Sequence, residues 1–522
     1  MRLARGSSWL GAALAMLTSC ADNTVTPIVE APEDAGPPPG CDGLGRSRCI
    51  DRVSLGARFG CALLGDQSVW CWGRNDESQL GYESADLCPE RLASGQTRAV
   101  ACHMYPLQVV GLARANAVSA GSSHACARLT TGEIQCWGGN SRGQLGSGSA
   151  LPSRAPVAVV GVRGVVSLAA GEGHTCAVVE GGQLYCWGAN DRGQLGVSVV
   201  GSQCAVDGAM IPCARTPVLV PDVGDAAEVV VGDAHTCVRT TAGTVQCWGA
   251  NHDGQLGMGA AGGSPVPRPQ GVRLGASLLR NVTALAAGSH HTCALREDGA
   301  VLCWGRHDRG QLGVAVPETF APCAHACIPT AVPIVGYQGA PSPPDPDGGD
   351  GAVPTDAAMD AATDAARDAG PRDAGGRRDV NPSRDGAADA SADAAMDVQI
   401  TIDGGPDATA AEAPTVVSIS AGGAFSCLSL SDRTLRCWGT NRAYELGNGR
   451  VNEGGPSLTT VIASPGSAAT NPLQGVVGVE SGGSTSCARL ADRSVKCWGT
   501  NEGGALGVGD QTERNGPVSM TW

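Results

Sequence analysis

Residues 165–196 read VVSLAAGEGHTCAVVEGGQLYCWGANDRGQLG, and their pattern decides the fold. Val165 to Gly171 is a short apolar run ended by glycine. His174–Val179 and Gln183–Trp187 flank Glu180-Gly181-Gly182, a hairpin signal between two strand-like segments. Upstream, Ala155 to Val160 offers a further strand led by Pro156, a tolerated strand position for proline. Working outward, Cys-Trp-Gly recurs with its tryptophan at residues 72, 137, 187, 248, 304, 438 and 498. Ten residues before each Cys of that triplet lies another Cys, and Leu-Gly follows the Trp by seven or eight residues. Seven copies of one spaced pattern define a repeat protein. About four strands in each copy predict propeller blades rather than helical solenoid units.

The motif Ala-Ala-Gly…His-Thr-Cys-Ala…Cys-Trp-Gly…Gly-Gln-Leu-Gly resembles the regulator of chromosome condensation repeat, over residues 53–337 and 414–522. The resemblance implies an all-β, seven-bladed β-propeller. It also implies a scaffold that holds protein partners on its loop faces. Nuclear members of the family exchange guanine nucleotide on a small GTPase. A secreted bacterial protein of the same fold, β-lactamase inhibitor protein II, inhibits β-lactamases. Neither role transfers by residue, because every matched motif is scaffold. The plant photoreceptor of this fold uses Trp in a Gly-Trp-Arg-His-Thr stretch, and here that stretch reads Gly173-His174-Thr175 without it.

Composition agrees with an all-β reading. Of 522 residues 76 are Gly and 32 Pro, while only 3% are aromatic, so long helices are disfavoured. The net charge of −14 is concentrated in tethers, since residues 341–413 carry 15 Asp and one Glu against five Arg. The repeats are close to neutral and contain a single lysine, Lys496, which removes the basic footprint that nucleic-acid phosphates require.

At the N-terminus two arginines precede an apolar stretch, Trp9 to Leu17, the pattern of a secretory signal. Leu17-Thr18-Ser19-Cys20 resembles the bacterial lipobox, in which Cys20 is acylated. The expected organisation is a signal peptide at 1–19 and an acylated Cys with a disordered tether at 20–40. Blades 1–5 follow at 41–337, then a disordered Asp/Ala-rich insertion at 338–413. Blades 6–7 occupy 414–522. Blade 1 lacks an obvious Pro-led strand and the C-terminus supplies one at Pro517, so the two ends are expected to share a blade. By the same logic the strand led by Pro329 is assigned to blade 6.

Twenty-three cysteines are too many for a reducing cytosol without metal. Cys176 and Cys186 lie symmetrically about Gly181, so they face each other across the hairpin and suit a disulfide. The same offset pairs Cys61–Cys71, Cys126–Cys136, Cys237–Cys247, Cys293–Cys303, Cys427–Cys437 and Cys487–Cys497. Local pairs remain at Cys41–Cys49, Cys88–Cys102, Cys204–Cys213 and Cys323–Cys327, which leaves Cys20 alone. Zinc at Cys323-Ala-His325-Ala-Cys327 is the rival to that last bridge.

No catalytic motif emerges. There is no Gly-Lys-Ser/Thr phosphate loop and no His-Glu-x-x-His. His124, His174, His235 and His291 share one repeat position that holds Phe59 and Phe425 in other copies, so structural hydrogen bonding is expected of them. Asp345 to Gly351 only partly resembles a calcium loop. No catalytic residue, cofactor or metal ligand is assigned.

Three insertions, residues 82–104, 197–215 and 314–328, interrupt equivalent connections in repeats one, three and five. They are read either as a pre-ordered binding rim or as loops bridged merely against fraying. The candidate rim residues are Tyr82, Arg91, His103, Met104, Met210, Ile211, Phe320 and His325. The expected function is an exported binding module on the outer membrane or cell surface, without catalysis, held to the membrane only by its lipid. Its partner is an unidentified protein or envelope ligand. The alternatives are an extracellular polysaccharide hydrolase or lyase and a structural envelope component. Guanine-nucleotide exchange is disfavoured outside the cytoplasm.

Overall fold

The structure is a computed structural model that describes residues 49–91, 96–198, 200–315, 323, 325–335, 413–468 and 470–522. The signal, the tether with Cys20, Cys41 and all of the insertion 338–413 except its last residue lie outside the described residues. Seven antiparallel sheets of four or five strands follow one another along the chain. Blade 4 is typical, with strands Ala226–Val231, His235–Thr240, Val245–Gly249 and Val266–Gly271. The fold is therefore an all-β, seven-bladed propeller. The first strands of neighbouring blades touch around a ring, which closes where Ile50–Leu55 meets Val476–Gly482.

Each Cys-Trp-Gly triplet explains its own composition. The Gly takes φ between 103° and 108° in all seven copies, a region that side chains rarely enter. A Cβ at Gly249 would sit 2.5 Å from the Ala234 carbonyl. A register shift falls at this point in every blade, so the glycine serves a β-bulge. The cysteine before it stands directly opposite its partner on the second strand, for example Cys237 opposite Cys247. All seven hairpins are bridged this way, with Cα separations of 4.0–4.1 Å. Cys88–Cys102, Cys204–Cys213 and Cys323–Cys327 are also bridged, and Cys49 is disulfide-bonded.

The tryptophan joins blades. Each of the seven is fully buried in an apolar cluster built from its own blade and the preceding one. Its indole N–H donates to a backbone carbonyl of that preceding blade: Trp137 to Gln79, Trp187 to Gln144, Trp248 to Gln194, Trp304 to Gln255 and Trp438 to Gln311, at 2.8–3.0 Å. Trp498 donates to Glu445, and Trp72 to Ala505 of blade 7 at 2.8 Å. The seventh joint therefore reproduces the other six.

Two expectations about connectivity are corrected here. The ends do not share a blade: Arg514–Ser519 pairs with Val495–Gly499 inside blade 7, and blade 1 is wholly N-terminal. Likewise Cys327–Pro333 pairs with Val301–Arg306, so the strand led by Pro329 completes blade 5 rather than opening blade 6. The reason is local. The chain leaves the third strand through the Gly-Gln-Leu-Gly loop and folds straight back along it, making the Pro-led strand the outermost of its own repeat. The segment 338–413 consequently lies between blades 5 and 6.

Candidate functional site: the insertion-bearing face

Every blade sends two loops to one face, the turn before the second strand and the loop after the third. The second loop is held from inside. In blade 3 the Leu195 N–H donates to Asn190 Oδ1 at 3.0 Å and the Arg192 N–H to Gln194 Oε1 at 2.8 Å. Blade 4 repeats this, with Leu256 to Asn251 at 3.3 Å and Asp253 to Gln255 at 2.9 Å. The two residues between Asn and Gly are thus displayed on a rigid loop, and they vary from blade to blade.

The described parts of all three insertions rise on this face. The hairpin Leu87–Arg91 with Thr97–Gln108 adds a fifth strand to blade 1. Its buried Glu90 accepts from Arg58, Arg74 and Arg98 at 2.5–2.6 Å. Burial alone would raise the Glu90 carboxyl, but the three guanidiniums hold it down at about 2. The hairpin Ser202–Val206 with Ala209–Leu219 extends blade 3 and brings Val206 and Ile211 over a cleft of about 600 Å³. From the third insertion, His325 Nδ1 lies 3.0 Å from Asp253 Oδ1.

The candidate rim residues fare differently. Met210 is 60% exposed, Ile211 is half-buried in the cleft wall, and His325 touches Asp253. His103 lies half-buried, its Nδ1 2.8 Å from the Tyr105 carbonyl. Tyr82 is not on the rim: it is buried in the joint between blades 1 and 2 and its hydroxyl donates to the Cys71 carbonyl at 2.9 Å. Following Leu80-Gly81 it still belongs to the repeat core, and its ring fills that joint. Met104 packs on the Cys88–Val100–Cys102 cluster beside Gly504, sealing blade 1 against blade 7 rather than facing a ligand. Arg91 closes its strand opposite Thr97, with its side chain outside the described residues, as is Phe320.

The cleft has a mixed lining, with charged side chains among Val206, Ile211 and several small residues, and lies across blades 2 to 5. Arg142 and Glu172 face each other at 3.4 Å on its wall. Burial pushes the Glu172 and Asp233 carboxyls up and the His252 and His290 imidazoles down, the last two opposed by the nearby Asp253 carboxylate. His252, Asp253 and His290 form a tight group whose ligand-type atoms lie within 4.8 Å of one another. No reading of the repeated positions reveals this group. The signal is in the departures from the repeat: His290 stands where other blades carry Arg58, Ser123, Gly173, Ala234, Ala424 or Ser484, and Asp253 where three others carry Arg142, Arg192 and Arg309.

The four repeated histidines lie elsewhere and have a structural task. His124 Nε2 meets Thr175 Oγ1 of the next blade at 2.8 Å, and His174, His235 and His291 repeat the contact at 2.9 Å with Thr236, Thr292 and Ser426. Thr175 and Thr236 donate onward to the Gln144 and Gln194 carbonyls that also receive the tryptophan N–H.

Comparison with known proteins places this architecture. Residues 20–344 match the RCC1-like domain, and residues 416–444 match the regulator of chromosome condensation (RCC1) repeat. The chain belongs to the RCC1-like propeller family. It is 27% identical over 267 residues to the ultraviolet-B receptor UVR8 of Arabidopsis thaliana, covering 50% of this chain and 42% of that protein. It is 29% identical over 282 residues to the mitochondrial RCC1 domain-containing protein RUG3 of the same plant, covering 53% and 46%. The chain spans less than half the length of these relatives. Among solved structures, human WBSCR16 superposes with a TM-score of 0.59 at 16% identity, covering 87% of this chain and 94% of that one. Prp20p from Saccharomyces cerevisiae, described with its binding to Gsp1p and histones, gives 0.54 at 17%, covering 83% and 80%. At these identities the two structures establish the fold.

Proposed function

We propose that this chain is an exported, lipid-anchored propeller that binds a protein or envelope ligand on its insertion-bearing face and performs no catalysis. The observation that carries the reading is the convergence of the described parts of three bridged insertions on one face, beside a cleft with charged walls, on a scaffold that is otherwise repetitive. Preordered loops lose little entropy on binding, which suits a recognition surface. Ten bridges among the described residues fit an oxidising compartment. That Prp20p binds proteins supports a partner of the same kind. Replacing the two described hairpin tips with the short connection of blade 2 tests the reading. The propeller is expected to keep its thermal midpoint within a few degrees while ligand captured from the intact cell surface falls at least tenfold. Undiminished capture by both variants would sink it.

Anchoring is proposed through Cys20. A Cys20→Ser variant is expected to leave the membrane fraction for the soluble one, because acyl chains supply the membrane affinity. Equal membrane association of variant and parent would contradict the assignment.

One observation favours the hydrolase alternative: Glu172 and Asp233, both pushed up by burial, share the cleft with two histidines. That reading requires release of reducing ends from an envelope polysaccharide and its loss in Glu172→Gln.

A further inference from the structure

We propose that His252, Asp253 and His290 bind one divalent transition-metal ion, zinc by the chemistry of the donors, on the floor of the cleft between blades 4 and 5. This inference stands on its own geometry, whatever the partner of the face.

The donor atoms are placed for it. His252 Nε2 lies 3.3 Å and His290 Nδ1 3.9 Å from Asp253 Oδ2. Zinc bound tetrahedrally at about 2.0–2.2 Å holds neighbouring ligand atoms about 3.3 Å apart. Of the three pairs, one is already at that spacing, a second lies at 3.9 Å, and the two imidazole nitrogens lie within 4.8 Å of each other, so modest rotation of the partly exposed histidines closes the set. The Asp253 side chain is fully buried, yet its Oδ2 has no hydrogen-bond partner. A buried carboxylate oxygen without a hydrogen bond is costly, and a cation is what two imidazoles and a carboxylate gathered within 4.8 Å would share.

The surrounding groups orient those donors. His290 Nε2 lies 3.7 Å from Asp233 Oδ2, so a second carboxylate stands behind the ring on the side away from Asp253. The other Asp253 oxygen faces His325 Nδ1 at 3.0 Å, so the carboxylate is fixed with Oδ2 towards the pair of histidines. Carboxylate-backed histidine and a hydrogen-bonded ligating carboxylate are the outer arrangement of protein zinc sites. Two imidazoles and one carboxylate favour zinc over calcium or magnesium, which take oxygen ligands. Every member of the group also departs from the repeat. Asp253 and His290 replace residues that cannot ligate in most blades, and His325 enters on an insertion.

His252 and His290 keep side-chain exposures of 37% and 28%, so the site is open to the cleft. Three protein donors leave a coordination position for water or for a side chain of the ligand. The insertion-bearing face would then offer a partner a metal bond as well as its loops.

The test uses the full chain, untagged, with disulfides intact and treated with chelator, titrated with zinc alone. Calorimetry and elemental analysis are expected to give one zinc per chain. His252→Ala and His290→Ala are each expected to weaken it at least 100-fold. His325→Ala, acting only through Asp253, is expected to cost 10–100-fold. Cobalt bound in place of zinc should show the intense visible bands of a tetrahedral site, lost in His252→Ala. Because His252 is partly exposed, that variant should fold like the parent by circular dichroism, and it decides the matter if His290→Ala does not fold. No zinc bound by the parent, or equal affinity in His252→Ala, overturns the proposal.

Discussion

Between pH 7 and pH 4.5 the four buried histidines are expected to drain stability from the propeller, against the opposite pull of carboxyls such as Glu480, which desolvation raises to about 7. Burial holds the His124 and His291 imidazoles down at about 3, His174 at about 4, and His235 well below its usual value. In the unfolded chain each titrates near 6.5. Between those values the unfolded chain binds more protons than the folded one, so stability is fully present above about pH 6.5 and drains away as the pH falls. Each histidine removes at most ~1.4 kcal/mol per pH unit across that window. The same position holds a fully buried Phe425 in blade 6, so the site accepts an apolar ring. His174→Phe should therefore fold, at a cost of about 1 kcal/mol at neutral pH for the lost Thr236 contact. Its midpoint should fall less steeply with acid than that of the parent. Thermal unfolding at pH 7, 6, 5 and 4.5 measures both slopes, and equal slopes would contradict the assignment.

The second large effect is expected at the joint between blades 5 and 6. There the segment 338–413 separates strands Cys327–Pro333 and Val416–Ala421, so the two blades are held by side-chain packing rather than by a short connection. Trp438 fills that joint with Leu312, Ile328, Ile334, Val416 and Leu428, and its N–H satisfies the Gln311 carbonyl at 3.0 Å. Trp438→Ala should cost roughly 3–5 kcal/mol from the cavity, with up to ~1 kcal/mol more for the lost indole hydrogen bond, since the Gln311 carbonyl then keeps only the 3.4 Å contact from Ser426 Oγ. Trp438→Phe should recover most of the packing and none of the hydrogen bond. Urea unfolding distinguishes them, with alanine lowering the midpoint far more than phenylalanine. A loss below 1 kcal/mol for alanine would mean that the joint is not held as described.

The scaffold was legible because its physics repeats. Cys176 and Cys186 flank a glycine turn, and a glycine after Cys-Trp is a mark that a strand must bend. The ownership of the Pro-led strands was not legible. Pro329 and Pro517 lie between two repeats in sequence, and nothing local states which neighbour each strand pairs with. That depends on whether the preceding loop folds back or crosses over, which only the register of Cys303 with Val332 and of Cys497 with Val518 resolves. Tyr82 departs from its sequence expectation for a related reason. A large residue at the start of an insertion looks exposed, yet the Leu80-Gly81 turn still directs it into the joint. The His252–Asp253–His290 group escaped because it rests on residues the repeat does not share. Its second contact joins residues 253 and 325, a pairing that no sequence spacing announces.

The proposed working surface of this propeller is its insertion-bearing face. Site-specific photocrosslinking on intact cells tests it most directly. The crosslinker is placed in turn at exposed Leu87 and Met210 on that face, and at exposed Thr241 in a hairpin turn on the opposite one. One discrete crosslinked species is expected, shared by Leu87 and Met210 and missing at Thr241. The same species formed as strongly from Thr241, or none formed from either insertion, would contradict it.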